Sequence, residues 1–436
     1  MCGICGQFRF DGENVSSKSL TSMMSKLAKR GPDSNGKWLE GKVGFGHQRL
    51  SIIDLSSHGN QPMVDDLLKL TLVFNGTIYN YKSLRSQLIG KGYSFFSHSD
   101  TEVIIKAYHY WGENCIKYLD GMFAFCLWDQ SNEKLFIARD RIGIKPLYYN
   151  LSNKAFTFAS NSQALLTQKL DKSINPLALQ QQLSLHGVVP APNTIINGIQ
   201  KVKPATVITI NAKGLLKEKT YWYPSASRSE RNLSDEDYVE KAHELLTAAV
   251  TKRMAAADVP IGVLLSGGLD SSLLVALLKE AGHEDIRTFS IGFEDIDNEA
   301  GSEFEYSDQI VSKFKTQHQK YVVSNAEVLP RLSEAVMNMA EPMVGQDAVA
   351  FYLLSEQVSK HIKVVLSGQG ADEAFAGYFW YPRMATERGD EIERFSKHYV
   401  DRSHEEYLQA VMPTYQCENH TFKWLSKESA KTGADS

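Results

Sequence analysis

Ile261-Gly262-Val263-Leu264-Leu265 is a short continuous apolar run, followed at once by Ser266-Gly267-Gly268-Leu269-Asp270-Ser271-Ser272 and then by the apolar stretch Leu273–Leu278. A run of this length bounded by a glycine pair reads as a buried strand, and the stretch after it as a helix. Consecutive small residues let backbone N–H groups face outward as an anion nest, and the helix N-terminus adds partial positive charge. The hydroxyls of Ser266, Ser271 and Ser272 can donate to phosphate oxygens, and Asp270 can hold Mg²⁺ against them. No Gly-Lys-Ser/Thr follows the loop, so γ-phosphoryl transfer is not expected. The plain alternative is a Gly-Gly turn with a serine helix cap, and the strand–loop–helix setting favours phosphate over it.

The pattern recurs at Val364-Val365-Leu366-Ser367-Gly368-Gln369-Gly370-Ala371-Asp372-Glu373. Arg287–Phe293 reads as another buried strand, Tyr306–Lys315 as a helix and Ile362–Leu366 as a third strand. Strands alternating with helices predict a doubly wound parallel α/β sheet. Two loops at the C-terminal ends of neighbouring parallel strands would share one crevice, where nucleotides bind in such sheets. Asp372-Glu373 also reads as a solvated helix start.

Toward the N-terminus, Trp222–Asn232 carries Pro224 and a Ser/Arg-rich stretch that predicts a linker. Ser234, with Asp237 three residues on, predicts a capped helix reaching Ala257. Before the linker, Lys69–Phe74, Met122–Asp129, Lys134–Arg139, Phe156–Ala159 and Ala205–Asn211 read as strands. Ser19–Lys29, Asp100–Trp111 and Asn175–Leu185 have helical spacing. This predicts a largely antiparallel sheet domain covered by helices. The last residues, Lys427–Ser436, are polar and expected to fray.

The 436 residues are 43% hydrophobic and 22% charged, which suits globular domains rather than a disordered or fibrous chain. Lys and Arg number 47 against 51 Asp and Glu, a net charge of −4, so no broad basic surface for nucleic acid or anionic lipid is expected. Five cysteines are few and odd in number, which suits a reducing compartment. No leader and no long uncharged apolar run is present, so the expectation is a cytoplasmic protein without a membrane span.

Cys2 follows the initiator Met and precedes Gly3. Removal of Met1 would leave a thiol beside a free α-amine, whose ordinary pKa of about 7.7–8.0 lets it serve as the thiol's own base. Three further groups would suit a substrate bearing a carboxylate, an ammonium and an amide. Arg49 offers a planar fork for a carboxylate, and Asp100 can meet an ammonium. Asn75-Gly76 offers a side-chain amide and an unhindered N–H as oxyanion donors. Each has an ordinary reading too: an incidental cysteine, a surface ion pair, a helix cap and a hairpin turn.

Taken together, Met1-Cys2-Gly3-Ile4-Cys5-Gly6, Arg30-Gly31-Pro32-Asp33, Phe74-Asn75-Gly76-Thr77-Ile78-Tyr79-Asn80 and Ala138-Arg139-Asp140-Arg141-Ile142-Gly143-Ile144-Lys145-Pro146-Leu147-Tyr148 resemble the glutaminase domain of class II glutamine amidotransferases. More specifically, they resemble the asparagine synthetase family. The resemblance implies an N-terminal-nucleophile hydrolase fold (αββα) over residues 2–220, with Cys2 as nucleophile. It implies a glutamine site at Arg49, Leu50, Ser51, Ile52, Asn75, Gly76, Thr77 and Asp100. Cys5 is expected to be structural, and Asp140-Arg141 a buried ion pair near the domain junction.

Residues 234–436 are implied to be an ATP-pyrophosphatase-like domain. Leu265 and Ile291 would line the adenine pocket, and Ser266, Gly267, Gly268, Ser271, Ser272, Ser367, Gly368 and Gln369 would hold the nucleotide. Asp270 and Asp372 would hold Mg²⁺. No segment after Tyr378 matches the family's further helices and basic catalytic residue, so this domain is expected to be C-terminally incomplete. The implied partners are glutamine, ATP and a carboxylate acceptor, and a homodimer stays open.

The family usually has glutamate where Gln369 stands, and several strings, among them Gln61-Pro62-Met63-Val64-Asp65 and Glu341-Pro342-Met343-Val344, resemble N-acetylglutaminylglutamine amidotransferases. The acetylated dipeptide is therefore the favoured acceptor, with aspartate as the alternative. Two other classes compete: a glutaminase or glutamine-binding module with an inactive second half, and a non-catalytic nucleotide-binding module.

Overall fold

The computed structural model describes residues 1–224, 233–295, 301–343 and 347–432. Most of the expected linker, residues 225–232, lies outside them. The first half is built on two six-stranded sheets. One contains β1 (Gly3–Arg9), β2 (Ser34–Glu40), β3 (Val43–Arg49), β8 (Tyr148–Leu151), β9 (Ala155–Ala159) and β10 (Gln200–Lys201), in the order β10-β8-β9-β1-β3-β2. The other contains β4 (Met63–Asp65), β5 (Leu70–Ile78), β6 (Gly121–Asp129), β7 (Lys134–Arg139), β11 (Thr206–Asn211) and β12 (Leu216–Thr220), in the order β12-β11-β7-β6-β5-β4. The pairings within both are antiparallel.

Side-chain alternation explains why two sheets stack. In β6, Ala124, Cys126 and Trp128 meet Ile4, Phe8 and Phe45 of the opposing sheet. Phe123, Phe125 and Leu127 point the other way, onto α2 (Tyr81–Gly90) and α3 (Asp100–Trp111). In β1, Ile4 and Phe8 face the second sheet, while Cys5 packs with Leu20 and Met23 of α1 (Ser17–Ser25) and with Ala164 of α4 (Ser162–Leu165). With period two, the central strands such as β1 and β6 bury both of their faces, and the layers follow as helix, sheet, sheet, helix. The αββα expectation holds. Cys5 is fully buried and its thiol is pushed far up by burial, which suits a packing role. A further helix, α5 (Pro176–Ser184), is capped by Asn175, whose Oδ1 accepts from the N–H groups of Leu177 and Ala178.

In the second half, β13 (Ile261–Leu264), β14 (Arg287–Phe293), β15 (Gln317–Val323) and β16 (Val364–Leu366) form one parallel sheet, ordered β15-β14-β13-β16. The helices α6 (Asp235–Ala256), α7 (Leu269–Glu280), α8 (Phe304–Phe314), α9 (Asn325–Asn338) and α10 (Asp347–Ser359) alternate with these strands or precede them. Ser234 and Asp237 form the expected capping box at the start of α6. The C-terminal helices α11 (Ala371–Phe375), α12 (Trp380–Thr386), α13 (Glu391–Tyr399), α14 (His404–Ala410) and α15 (His420–Thr432) follow.

Several expectations are corrected. The end is not frayed from Lys427, since α15 continues to Thr432. Asn75 and Gly76 form no hairpin turn: they lie inside β5, paired with Ala124 and Phe123 of β6. A Cβ on Gly76 would lie 2.2 Å from the Met122 carbonyl oxygen, so the close approach of β6 demands glycine there. Among the described residues Asp140 makes no ion pair with Arg141; its carboxylate accepts from the N–H groups of Phe123, Ile144 and Lys145 and so folds the 140–145 turn onto β6.

Candidate functional site

A cavity of about 310 Å³ brings together Cys2, Arg49, Leu50, Ile52, Asn75, Gly76, Thr77 and Asp100. Three strands and a helix start deliver them. Cys2 immediately precedes β1, Arg49 ends β3, Asn75–Thr77 run through β5, and Asp100 opens α3. The Leu50 N–H points to Cys2 Sγ at 3.4 Å. Burial pushes the Cys2 thiol up, opposed by the Leu50 amide and the N-terminal amine. Burial also lowers the Met1 α-amine to about 5, with Arg30 and Lys145 adding to the effect. Burial thus disfavours the charged form of both groups.

Among the described residues, two polar groups in this cavity are incompletely matched: Asn75 Nδ2 has no acceptor and Asp100 no cation. Asn75 is 1% exposed and its Nδ2 is buried without an acceptor, the condition of an oxyanion donor before the oxyanion exists. Asp100 is 3% exposed, and burial raises its carboxyl to about 7 even though Ile78 N–H (3.0 Å) and Ser99 Oγ (3.4 Å) donate to it. No cation reaches it among the described residues. The helix cap is Ser99, whose Oγ accepts from Thr101 N–H, so Asp100 is not needed for capping.

Arg49 departs from the expected carboxylate fork. Its Nη1 donates to Ser56 O (2.8 Å) and Asn60 Oδ1 (2.7 Å), and its Nη2 to Ile53 O (3.4 Å) and Asp54 O. The guanidinium fixes the 53–60 loop that walls the cavity and supplies charge to it. Ser51 turns instead into a neighbouring hollow shared with Asp33 and Lys363, its N–H donating to Asp33 Oδ2 at 2.7 Å.

Sequence reasoning missed Gln61, Met122 and Lys145, which also line the cavity. Gln61 accepts from Phe74 N–H (2.6 Å) and donates to Thr101 (3.3 Å), bracing β5 against α3. Its place beside Pro62 gave no signal of that. More telling, Lys363, Val364 and Val365 at the start of β16 close one side of the cavity. The halves are also tied by Lys363–Asp33 (2.6 Å), by Asp54 N–H to Asp258 (2.8 Å) and by Asp258 N–H to Ile52 O (2.9 Å).

The other end of β16 carries the second loop. A Cβ on Gly368 would lie 2.8 Å from Asp270 Cβ, so the two glycine-rich loops touch as expected of one crevice. Gly267 adopts φ +94° and packs on Tyr306–Ser307 at the start of α8, where only glycine fits. The N-cap Gly268 offers no side-chain cap to α7, its own N–H donates to Ser266 Oγ at 3.3 Å, and only that hydroxyl lies near where a Cβ on Gly268 would stand among the described residues, so the uncapped first turn of α7 can face an anion. Ser266 Oγ and Ser271 Oγ are 3.0 Å apart, while Ser272 Oγ donates to Gly268 O at 2.7 Å. Ser367 and Gln369 are exposed, the Gln369 N–H donating to Ser367 Oγ at 3.3 Å.

Two expected nucleotide contacts are revised. Leu265 is 1% exposed, with its side chain in the core beside Val263 and Val275, so only its backbone is available to a ligand. Ile291 is partly buried between two apolar clusters behind the loops. Among the described residues no group of three or more His, Cys, Asp or Glu side chains forms a metal cage. Asp270 and Asp372, in the first turns of α7 and α11 where the two glycine-rich loops end, suit a cation that takes one or two carboxylates and completes its shell with phosphate oxygens.

This is the arrangement of a two-domain glutamine amidotransferase, and comparison with known proteins agrees. Residues 1–222 match the glutamine amidotransferase domain family, and residues 241–432 match the asparagine synthase family. The chain belongs to the glutamine-hydrolysing asparagine synthetase family. It is 36% identical to asparagine synthetase 1 of Bacillus subtilis (strain 168) over 87% of this chain and 59% of that protein. Identity to asparagine synthetase 3 of the same organism is 34%, over 89% of this chain and 65% of that protein. A Methanocaldococcus jannaschii protein provisionally named asparagine synthetase 2 is 34% identical over 87% of this chain and 76% of its own length. The chain therefore spans about three fifths of the length of the Bacillus relatives. These relatives do not carry the finer resemblance to N-acetylglutaminylglutamine amidotransferases.

Proposed function

We propose that this chain frees ammonia from glutamine at Cys2 and uses it to amidate a carboxylate that has been activated by ATP as an acyl-adenylate, with AMP and pyrophosphate as products. One observation carries the reading: a nucleophile, an unpartnered amide donor and an unpaired buried carboxylate share one cavity, and the strand that closes it ends in a nucleotide-type loop. Removal of Met1 places the amine on Cys2 itself. The amine takes the thiol proton, Sγ adds to the amide carbon, and Asn75 Nδ2 with a β5 backbone N–H stabilises the oxyanion. Asp100 accepts the substrate ammonium, and Arg49 draws the substrate carboxylate by charge. Ammonia leaves with the transferred proton, and water hydrolyses the thioester.

Free carboxylates do not accept ammonia at neutral pH, because hydroxide is a poor leaving group; adenylation supplies a good one. ATP would lie against Ser266–Ser272 and Ser367–Gly368, with Asp270 and Asp372 holding Mg²⁺, which supplies charge neutralisation at the phosphates. The ammonia must cross unprotonated, and Met122, Val364 and Val365 give the cavity an apolar wall on the side of β16. Five free thiols suit a cytoplasmic setting, and among the described residues no helix is long and apolar enough to cross a membrane.

The names of the relatives favour aspartate as acceptor. Gln369, a neutral amide in the second loop, favours instead an acceptor such as N-acetylglutaminylglutamine. ATP–pyrophosphate exchange with a panel of acids tests the whole reading: exchange driven by one acid, with glutamine or ammonia then giving its amide, is expected. Exchange with none would leave a glutaminase or glutamine-binding module.

A further inference from the structure

The turn after β7 brings into the cavity of Cys2 a cation that the proposed reaction leaves unused. Lys145 lines that cavity together with Cys2 and Met122, and it is 5% exposed. Its backbone is clamped on both sides. The Lys145 N–H donates to Asp140 Oδ2 at 3.0 Å, and its carbonyl accepts from Arg139 Nε at 2.8 Å. Arg139 Nη2 donates as well to Gly143 O, at 2.7 Å, in the same turn, and Gly143 permits that turn at φ +71°. Arg139 and Asp140 thus fix where Lys145 stands without pairing with its charge.

The ammonium itself is unmatched. Among the described residues it forms no ion pair, and the hydrogen bond it makes is to Met1 Sδ, at 3.1 Å. A thioether is a weak acceptor, and this one departs with Met1. An ammonium buried without a carboxylate is costly, so packing alone does not account for it. Asp140, the carboxylate of its own turn, is occupied by three backbone N–H groups. Cys2 is what remains. The positive charge of Lys145 and an anionic Cys2 sulfur favour one another, and the same charge disfavours a protonated α-amine. The other charged groups around them are Arg30, whose Nε donates to Cys2 O at 3.2 Å, and Arg49, Asp33 and Asp100. Burial, with Arg30 adding to it, brings Lys145 down to about 8, which leaves it mostly charged at neutral pH.

We propose that Lys145 is a positioning residue for the nucleophile: once Met1 is removed, its ammonium faces the Cys2 thiol and α-amine and supplies the positive charge that favours their reactive forms, an anionic sulfur and a free amine. The proposal rests on the glutamine hydrolysis at Cys2 inferred above and deepens it. The proton still passes from thiol to amine, and Lys145 neither gives nor takes one.

The test uses the full chain with Met1 removed, as checked by intact mass. Lys145→Met keeps the length of the stem and drops the charge, and Lys145→Arg keeps the charge. Two quantities are followed across pH: kcat/KM for glutamine hydrolysis, and the rate at which iodoacetamide alkylates Cys2, read by mass spectrometry of the N-terminal peptide. In Lys145→Met both profiles are expected to move to higher pH by roughly one unit. Wild type and variant should converge above about 8, where Lys145 gives up its own charge. Lys145→Arg is expected to keep the wild-type profile. A merely structural role would lower both rates by one factor at every pH. Superimposable profiles of wild type and Lys145→Met, or a difference undiminished at high pH, would each overturn the proposal. Alkylation separates it from its premise. A shifted alkylation profile with no glutamine hydrolysis by the wild type removes the glutaminase reading and keeps the role of Lys145. Hydrolysis by the wild type with an unshifted alkylation profile does the reverse.

Discussion

In the first half of the molecule the working groups are set into finished structure: Asn75 is 1% and Asp100 3% exposed, and strands paired on both sides hold β5. In the second half Ser266, Ser367 and Gln369 stand exposed at loop ends above a four-stranded sheet, and every residue of β16 is only partly buried. The first site has already met the cost of desolvating its charges, so a substrate finds them aimed. The second holds open N–H groups and hydroxyls whose order a nucleotide and its cation would complete. Preorganisation and ligand-completed order thus coexist along one chain.

The sharpest break in that contrast is Cys2→Ala. Glutamine hydrolysis is expected to fall at least about 10³-fold, while amidation on free ammonia continues; both are read by separate assays of glutamate and AMP. Loss of both would mean the halves are not separable.

Asp100→Asn probes what preorganisation costs. Glutamine KM is expected to rise by roughly 10- to 100-fold, as a charge-assisted contact to the ammonium is lost. The same change should stabilise the ligand-free protein by an amount on the order of 4 kcal/mol above neutral pH, because the folded carboxyl is raised from 3.8 to about 7. The sign follows from proton linkage. Below pH 3.8 the carboxyl is neutral whether folded or not, and between there and about 7 the folded state holds the extra proton, so wild-type stability falls as pH rises through that window and levels off above it. Urea melts of both proteins across the window check this.

Gly267→Ala tests the open site. Its φ of +94° and the Ser307 nitrogen 2.5 Å from the new Cβ should cost about 2 kcal/mol and shift the loop. Stabilisation of the protein by ATP, read as a rise in Tm, is expected to disappear. Lys363→Met, which removes the half-exposed pair with Asp33, should cost under about 1 kcal/mol, and less in high salt.

The same contrast governs what could be read from the residues alone. Strands with two buried faces announce themselves, and Lys134–Arg139 and Arg287–Phe293 were legible to the residue. β15, Gln-His-Gln-Lys-Tyr-Val-Val, is a polar edge strand set by its neighbour β14, and no run of apolar residues marks it. The residues that gather around Cys2 were legible because they fall in short motifs at β1, β3, β5 and the start of α3. Arg49's allegiance to acceptors of the 53–60 loop was not, since no pattern in the sequence says which acceptors a folded loop will bring to a guanidinium. Nor was the contribution of β16, which depends on how the two halves of the chain meet.

That meeting gives β16 an unusual position. Three residues at about 3.3 Å each make a rod of roughly 10 Å, with Val364 in the cavity that holds Cys2 at one end and Ser367 in the second glycine-rich loop just past the other. Its pairing in register with β13 ties the rod to the first glycine loop as well. Because one strand contributes to both chambers, substitutions in Val364–Leu366 are expected to register in both.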